Sequence, residues 1–170
     1  MAPQTIRAAR PEDALAITAI YNAGIAGRQA TFETRPREPG EILAWLENGL
    51  PVLVAEDTGG RIVGFARVSP YSSRPFYAGV GDHGVYVDPE ARGGGVGRAL
   101  LEAIAAAAER QGMYKLTSRV FTTNAASRAV HRAAGFVEIG ITRRHGRLDG
   151  EWKDCVVVER LLGEAADGAS

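Results

Sequence analysis

Residues 85–101 read VYVDPEARGGGVGRALL, and this stretch most constrains the fold of the 170-residue chain. Val85-Tyr86-Val87 is β-branched and aromatic, so it ends a strand. Asp88-Pro89 stops that strand, because proline has no N–H for a ladder. Arg92-Gly93-Gly94-Gly95-Val96-Gly97 carries little side-chain bulk. From Gly95 onward, Ala99, Leu100, Ala103 and Ile104 repeat at helical spacing. A strand, a glycine loop and a helix N-terminus in that order make an anion site. Backbone N–H groups point outward, no Cβ atoms block approach, and the helix dipole favours negative charge.

Two familiar anion loops fail on single residues. The P-loop needs Gly-Lys-Ser/Thr at its end, and this chain has Gly97-Arg98-Ala99. The dinucleotide fingerprint puts glycine at 93, 95 and 98, and 98 is arginine. What remains is Arg92-x-x-Gly95-x-Gly97 straight after a Val-Tyr-Val strand, or else a flexible turn that binds nothing. The former resembles the pyrophosphate loop of the GCN5-related N-acetyltransferases, which holds the diphosphate of acetyl-CoA. A second segment, Asn124-x-x-Ser127-x-x-x-His131-x-x-x-Gly135-Phe136, resembles that family's N-x-x-S…G-F segment. Read locally, Asn124 is a helix N-cap and Gly135 a helix stop.

Element order along the chain agrees with this resemblance. Strands are expected at residues 5–9, 51–56, 61–68, 80–87, 115–121, 136–141 and 155–160. Helices are expected from 11 to about 24, from 38 to 46, from 95 to 111 and from 124 to 134. Asp57–Gly60 and His145–Gly150 read as hairpin turns, and 69–78 as a loop. One α+β domain over residues 1–162, with a mostly antiparallel central sheet flanked by helices and a frayed tail at 163–170, is expected.

Composition narrows the function class. Twenty Lys and Arg balance twenty Asp and Glu, so no global field favours nucleic acid or an acidic membrane. One Arg-Gly-Gly step at 92–94 without repetition does not make an RNA-binding tract. The start at Met1-Ala2-Pro3-Gln4 lacks the pattern of a signal peptide, and no apolar run approaches bilayer length. The single cysteine, Cys155, sits in an apolar run and reads as core. A cytoplasmic protein is expected. No Cys/His cluster or HxxxH pair supports a metal.

The resemblance implies acetyl-CoA as co-substrate. It implies that Val85-Tyr86-Val87, the loop Arg92-Gly93-Gly94-Gly95-Val96-Gly97-Arg98, Asn124 and Ser127 hold it. Val85 and Val87 would offer backbone groups to the pantetheine amides, as in strand addition, and the Val87 N–H would face the oxyanion. A narrower resemblance rests on Tyr21-Asn22 with Thr31-Phe32-Glu33-Thr34, on Asp82-His83-Gly84-Val85-Tyr86-Val87, and on residues 143–160. These are similar to segments of the phosphinothricin, methionine-sulfone and arsinothricin N-acetyltransferases, and the resemblance implies acetylation of the α-amino group of a small, anionic glutamate analogue. This chain departs from them at Asp82, where the relatives carry Glu, and at Gly84.

Amine acetylation needs a neutral nitrogen, so a base must take the ammonium proton directly or through water. Asp82 is the catalytic candidate. His83 alternates with it on the strand and is expected to face away, into packing. Arg74 and Tyr77, in the loop Ser73-Arg74-Pro75-Phe76-Tyr77, are candidates for the acceptor side, Arg74 as a carboxylate partner. Phe32 is a candidate pocket wall. Arg143, Arg144, His145 and Arg147 form a basic patch, and His131 reads as structural. A homodimer follows from the resemblance alone. Polyamine or protein N-terminus acetylation, and a non-catalytic acyl-CoA sensor, stay open as alternatives.

Overall fold

The computed structural model describes residues 4–168. Met1–Pro3, on which the signal-peptide reading partly rests, and tail residues 169–170 lie outside them. Seven strands, β1 (Gln4–Ala8), β2 (Val52–Asp57), β3 (Ile62–Pro70), β4 (Val80–Val87), β5 (Lys115–Phe121), β6 (Val137–Leu148) and β7 (Glu151–Leu161), form one sheet. Its order is β1-β2-β3-β4-β5-β7-β6. Four helices cover it: α1 (Ala14–Ala26), α2 (Pro39–Glu47), α3 (Val96–Arg110) and α4 (Ala125–Ala133). All neighbouring strands run antiparallel except β4 and β5. The sheet is therefore mixed and mostly antiparallel, and the α+β class expected from sequence is the one observed.

Helices lie on both faces, and each face has its own core. Val96, Leu100, Leu101, Ile104, Ala105 and Ala108 form one buried stripe on α3, which packs on Val63, Val68, Leu116, Val156 and Val158 of the sheet. On the other face Ile17 and Ile20 of α1 and Ile42 of α2 cover Val52, Val54 and Phe65. Each fully buried aliphatic side chain contributes about 1.5–3 kcal/mol. Gly64 is needed where α3 meets β3, since a Cβ there would stand 2.9 Å from Leu100 Cδ1 and 3.0 Å from the Tyr86 carbonyl oxygen.

Three sequence expectations change. The last hairpin is longer than read, because β6 continues through Arg143–Leu148 and only Asp149-Gly150 turn the chain. Arg144 sits at φ 48°, and the β6–β7 register slips between Thr142 and Gly146. That bulge hides the strand's period from the sequence. Residues 69–78 contain a short 3-10 turn at Pro75–Tyr77. Within the tail, Gly163–Ala165 forms another, held by Gly163 N–H donating to Glu109 Oε1 at 2.6 Å.

Candidate active site

The site begins where the sheet comes apart. β4 and β5 pair in parallel only at Val80–Lys115, Gly81–Leu116 and Asp82–Thr117. Both strands then continue, β4 to Val87 and β5 to Phe121, without pairing to each other. The direction of the freed groups follows from the other edge. Asp88 N–H donates to the Val63 carbonyl at 2.8 Å, so even-numbered residues of β4 point their backbone groups at β3. The N–H and C=O of Val85 and Val87 therefore point into the gap. Unpaired strand groups are a template for an extended ligand.

A cavity of about 580 Å³ fills this gap. Its walls are the 29–32 segment after α1, His83–Val87 of β4, Ser118–Phe121 of β5, and Asn124, Ser127, Val130 and His131 at α4. Arg92, Gly93, Val96 and Gly97 close one end. Gly93 (φ 82°) and Gly95 (φ 81°) adopt left-handed backbone that only glycine takes readily. Gly95 caps α3, and Ala99 N–H is the first to close a helical bond, on Gly95 O at 3.1 Å. The N–H groups of Val96, Gly97 and Arg98 are left for a ligand. Gly94, Gly95 and Arg98 do not line the cavity, and the Arg98 side chain pairs with Glu102 at 3.0 Å on the outer helix face.

Asn124 ties the opposite walls together. Its Oδ1 accepts from Ser127 N–H at 3.1 Å, capping α4, and its Nδ2 donates to the Gln29 carbonyl at 3.0 Å. Phe32, expected as a pocket wall, lines the cavity and meets Phe121 edge-on at 4.9 Å between ring centroids. A Cβ at Gly146 would stand 2.9 Å from the Phe32 ring, which is why β6 can approach it. Cys155 is buried beside these rings, and burial pushes its thiol pKa up.

His83 and His131 are buried as expected, but they form a pair that the sequence does not suggest. Both line the cavity, and their Nε2 atoms lie 3.0 Å apart. His131 Nδ1 lies 2.8 Å from the Ser127 carbonyl, which can only accept, so that nitrogen carries the proton. In the neutral ring His131 Nε2 is then an acceptor, and His83 Nε2 must donate to it. This leaves the buried His83 Nδ1 with a lone pair and no partner. Burial, reinforced by the His131 ring, drives the His83 pKa down to about 3, and burial lowers that of His131 as well. In sequence the two are 48 positions apart, and nothing local links them.

This pair sets an acid limit on stability. An unfolded histidine takes a proton near pH 6.5, whereas folded His83 does not until about pH 3. The unfolded state thus binds more protons across that window, and stability falls as pH drops below 6.5. At pH 5 the His83 contribution alone is a loss of about 2 kcal/mol. Urea denaturation at pH 7, 6 and 5 is expected to show this decline, and His83→Gln is expected to flatten it. An equally steep decline in His83→Gln would contradict the assignment.

Asp82 occupies the opposite face of β4 from His83, the face of Gly84 and Tyr86. It is half-buried and does not line the main cavity. Burial pushes its pKa up, while the Arg119 and Arg67 guanidinium groups oppose that rise. Arg67 sits on β3 opposite Gly84, with its guanidinium 4.0 Å above the Trp45 ring. Tyr86 lines the cavity, and its ring stacks on Phe65 at 5.3 Å and lies 4.9 Å from Tyr21, so the ring belongs to the α1 core. Arg74 and Tyr77 are exposed and lie outside the cavity lining. The structure thus brings Phe32, Val85, Val87, the glycine loop, Asn124 and Ser127 together and leaves Arg74 and Tyr77 apart. Sequence reasoning missed Arg67 and Arg119, since an arginine alternating in a strand reads as a solvent-facing residue.

Residues 19–136 match the acetyltransferase (GNAT) family. The chain belongs to that family. It is 37% identical to a phosphinothricin N-acetyltransferase from Alcaligenes faecalis, over 93% of this chain and 82% of that one. Among solved structures it resembles a ribosomal-protein-alanine N-acetyltransferase from Brucella melitensis, with TM-score 0.88 and 34% identity over 93% of this chain and 99% of that one. It also resembles a phosphinothricin acetyltransferase from Sinorhizobium meliloti in complex with acetyl-CoA, with TM-score 0.89 and 32% identity over 95% and 89% of the two chains. In this member of the family the open β4–β5 gap and part of the glycine loop, Arg92, Gly93, Val96 and Gly97, line one cavity. Among the described residues no group of His, Cys, Asp and Glu is arranged to hold a metal ion, and no helix is long and apolar enough to cross a membrane.

Proposed function

We propose that this GNAT enzyme transfers the acetyl group of acetyl-CoA to the α-amino group of a small amino acid of the phosphinothricin, arsinothricin or methionine-sulfone type. The observation that carries this reading is the gap beyond Asp82 and Thr117, into which the backbone groups of Val85 and Val87 point. Pantetheine amides pair there, and the diphosphate meets the N–H groups of Val96, Gly97 and Arg98. Arg92 adds positive charge at the loop's mouth. Asp82, with its pKa raised by burial, takes the ammonium proton directly or through water. The neutral nitrogen attacks the thioester carbonyl, the Val87 N–H stabilises the oxyanion, the C–S bond breaks, and the proton the nitrogen then sheds ends on the leaving sulfur, so CoA departs as the thiol. No acetyl-enzyme forms.

The alternative acceptor, a protein N-terminus, takes its support from the likeness to the ribosomal-protein-alanine acetyltransferase. A cytoplasmic location belongs to the proposal, since acetyl-CoA is available there. So does a homodimer: Val137, Ile139 and Ile141 are exposed along the edge strand β6 and suit a second copy. The test is mass spectrometry of the products from acetyl-deuterated acetyl-CoA and phosphinothricin. The label is expected on the α-nitrogen, with the intact protein mass unchanged. Label retained on the protein would overturn the direct route, and label on neither would overturn the acceptor.

A further inference from the structure

Two guanidinium groups, from Arg67 and Arg119, act on Asp82, and among the described residues neither forms an ion pair with a carboxylate. Arg67 approaches from β3, where the β3–β4 register sets it opposite Gly84 and Ser69 opposite Asp82. Arg119 approaches from β5, two residues beyond Thr117, the partner of Asp82. Both arginines act electrostatically on the Asp82 carboxylate. Yet among the described residues neither lies within 4.0 Å of a carboxylate, although Arg7, Arg28, Arg35, Arg37, Arg61 and Arg128 all do. Arg67 is also half-buried and stacked on Trp45, and burial pulls its pKa below the usual arginine value. A partly desolvated cation with no carboxylate paired to it is costly unless a ligand supplies one. Gly84 adds no side chain beside it, and a Cβ there would meet only the Tyr86 ring at 3.5 Å.

We propose that Arg67 and Arg119 form a two-cation acceptor subsite around Asp82, in which Arg119 holds the α-carboxylate and Arg67 reads a second anionic group at the far end of the substrate. One negative and two positive protein groups are the complement of an amino acid with one ammonium and two anions. The division of labour follows from position. Arg119 lines the cofactor cavity and Arg67 does not. The α-carbon carries the attacking nitrogen and must stay by the thioester, so its carboxylate falls to Arg119. The distal group extends over Gly84 towards Trp45 and Arg67. The planar guanidinium, fixed by stacking, suits a bidentate phosphinate or carboxylate.

This inference rests on the amino-acid acetyltransferase reading and deepens it. The test is steady-state kinetics at saturating acetyl-CoA with phosphinothricin, which has two anionic groups, and methionine sulfone, which has one. Arg67→Met is expected to raise KM for phosphinothricin about tenfold to a hundredfold more than KM for methionine sulfone. Arg119→Met is expected to raise both by similar factors. Arg67→Lys is expected to keep part of the preference, which separates charge recognition from loss of folding. Arg67→Met changing both KM values equally, or neither, would overturn the subsite alone. Wild-type protein inert towards both amino acids would overturn the subsite together with the reading beneath it.

Discussion

Asp82→Asn is expected to lower kcat/KM by about two to four powers of ten while leaving acetyl-CoA binding in place. Asparagine keeps the side chain's shape and removes only its capacity to accept a proton. Asp82 sits at the last position where β4 pairs with β5, so the proposed base is anchored by the ladder immediately before those two strands part. Burial raises its pKa, which makes the carboxylate a stronger base, and the Arg119 and Arg67 guanidinium groups oppose that rise. Activity should fall at acid pH as Asp82 takes a proton, and this acidic limb should disappear in the residual activity of the variant. Stopped assays of kcat/KM between pH 5 and 9 would check both points. Retention of near wild-type kcat/KM in Asp82→Asn would remove Asp82 from the mechanism.

Gly81→Val is expected to destabilise the protein by about 3 kcal/mol. A Cβ at position 81 would stand 2.5 Å from Val68 Cγ1, 2.9 Å from Leu116 Cδ2 and 3.2 Å from Met113 Sδ. Val68 and Leu116 are fully buried, and Val68 is β-branched, so neither can swing aside. For a chain of this size the loss corresponds to a fall in Tm of about 10 °C. Strain at this place also acts on function. Gly81 pairs with Leu116 one step before the gap opens, so forcing the strands apart there widens the gap in which acetyl-CoA is proposed to lie. A rise in KM for acetyl-CoA should accompany the fall in Tm. Thermal denaturation and acetyl-CoA titration of the variant measure the two effects, and an unchanged Tm would show that the 81 site has room.

Much of this architecture is legible in the sequence because its signals are local. A β-branched run, Asp-Pro and a glycine cluster before an apolar period dictate β4, the loop and α3. The N-cap at Asn124 is equally local, and its side chain does cap α4. Charge without context is harder to read. Arg67 acquires meaning only from Trp45 on α2, and Arg119 only from Asp82 across the sheet. His83 and His131 each look like core residues, and only the packing of α4 against β4 joins their rings. The basic run at 143–147 hides a strand because a left-handed residue at Arg144 and a bulge break the period of two. Arg147 stacked over Trp152, at 4.2 Å, holds that strand in a way no pattern reveals.

The most direct measurement of the central claim is free-thiol release from acetyl-CoA against phosphinothricin, arsinothricin, methionine sulfone, glutamate, spermidine and an alanine-starting peptide. The account predicts turnover with the amino acids, fastest with those carrying a second anionic group, and none with spermidine. Turnover confined to spermidine or the peptide would contradict it, and so would bound acetyl-CoA with no thiol release from any acceptor.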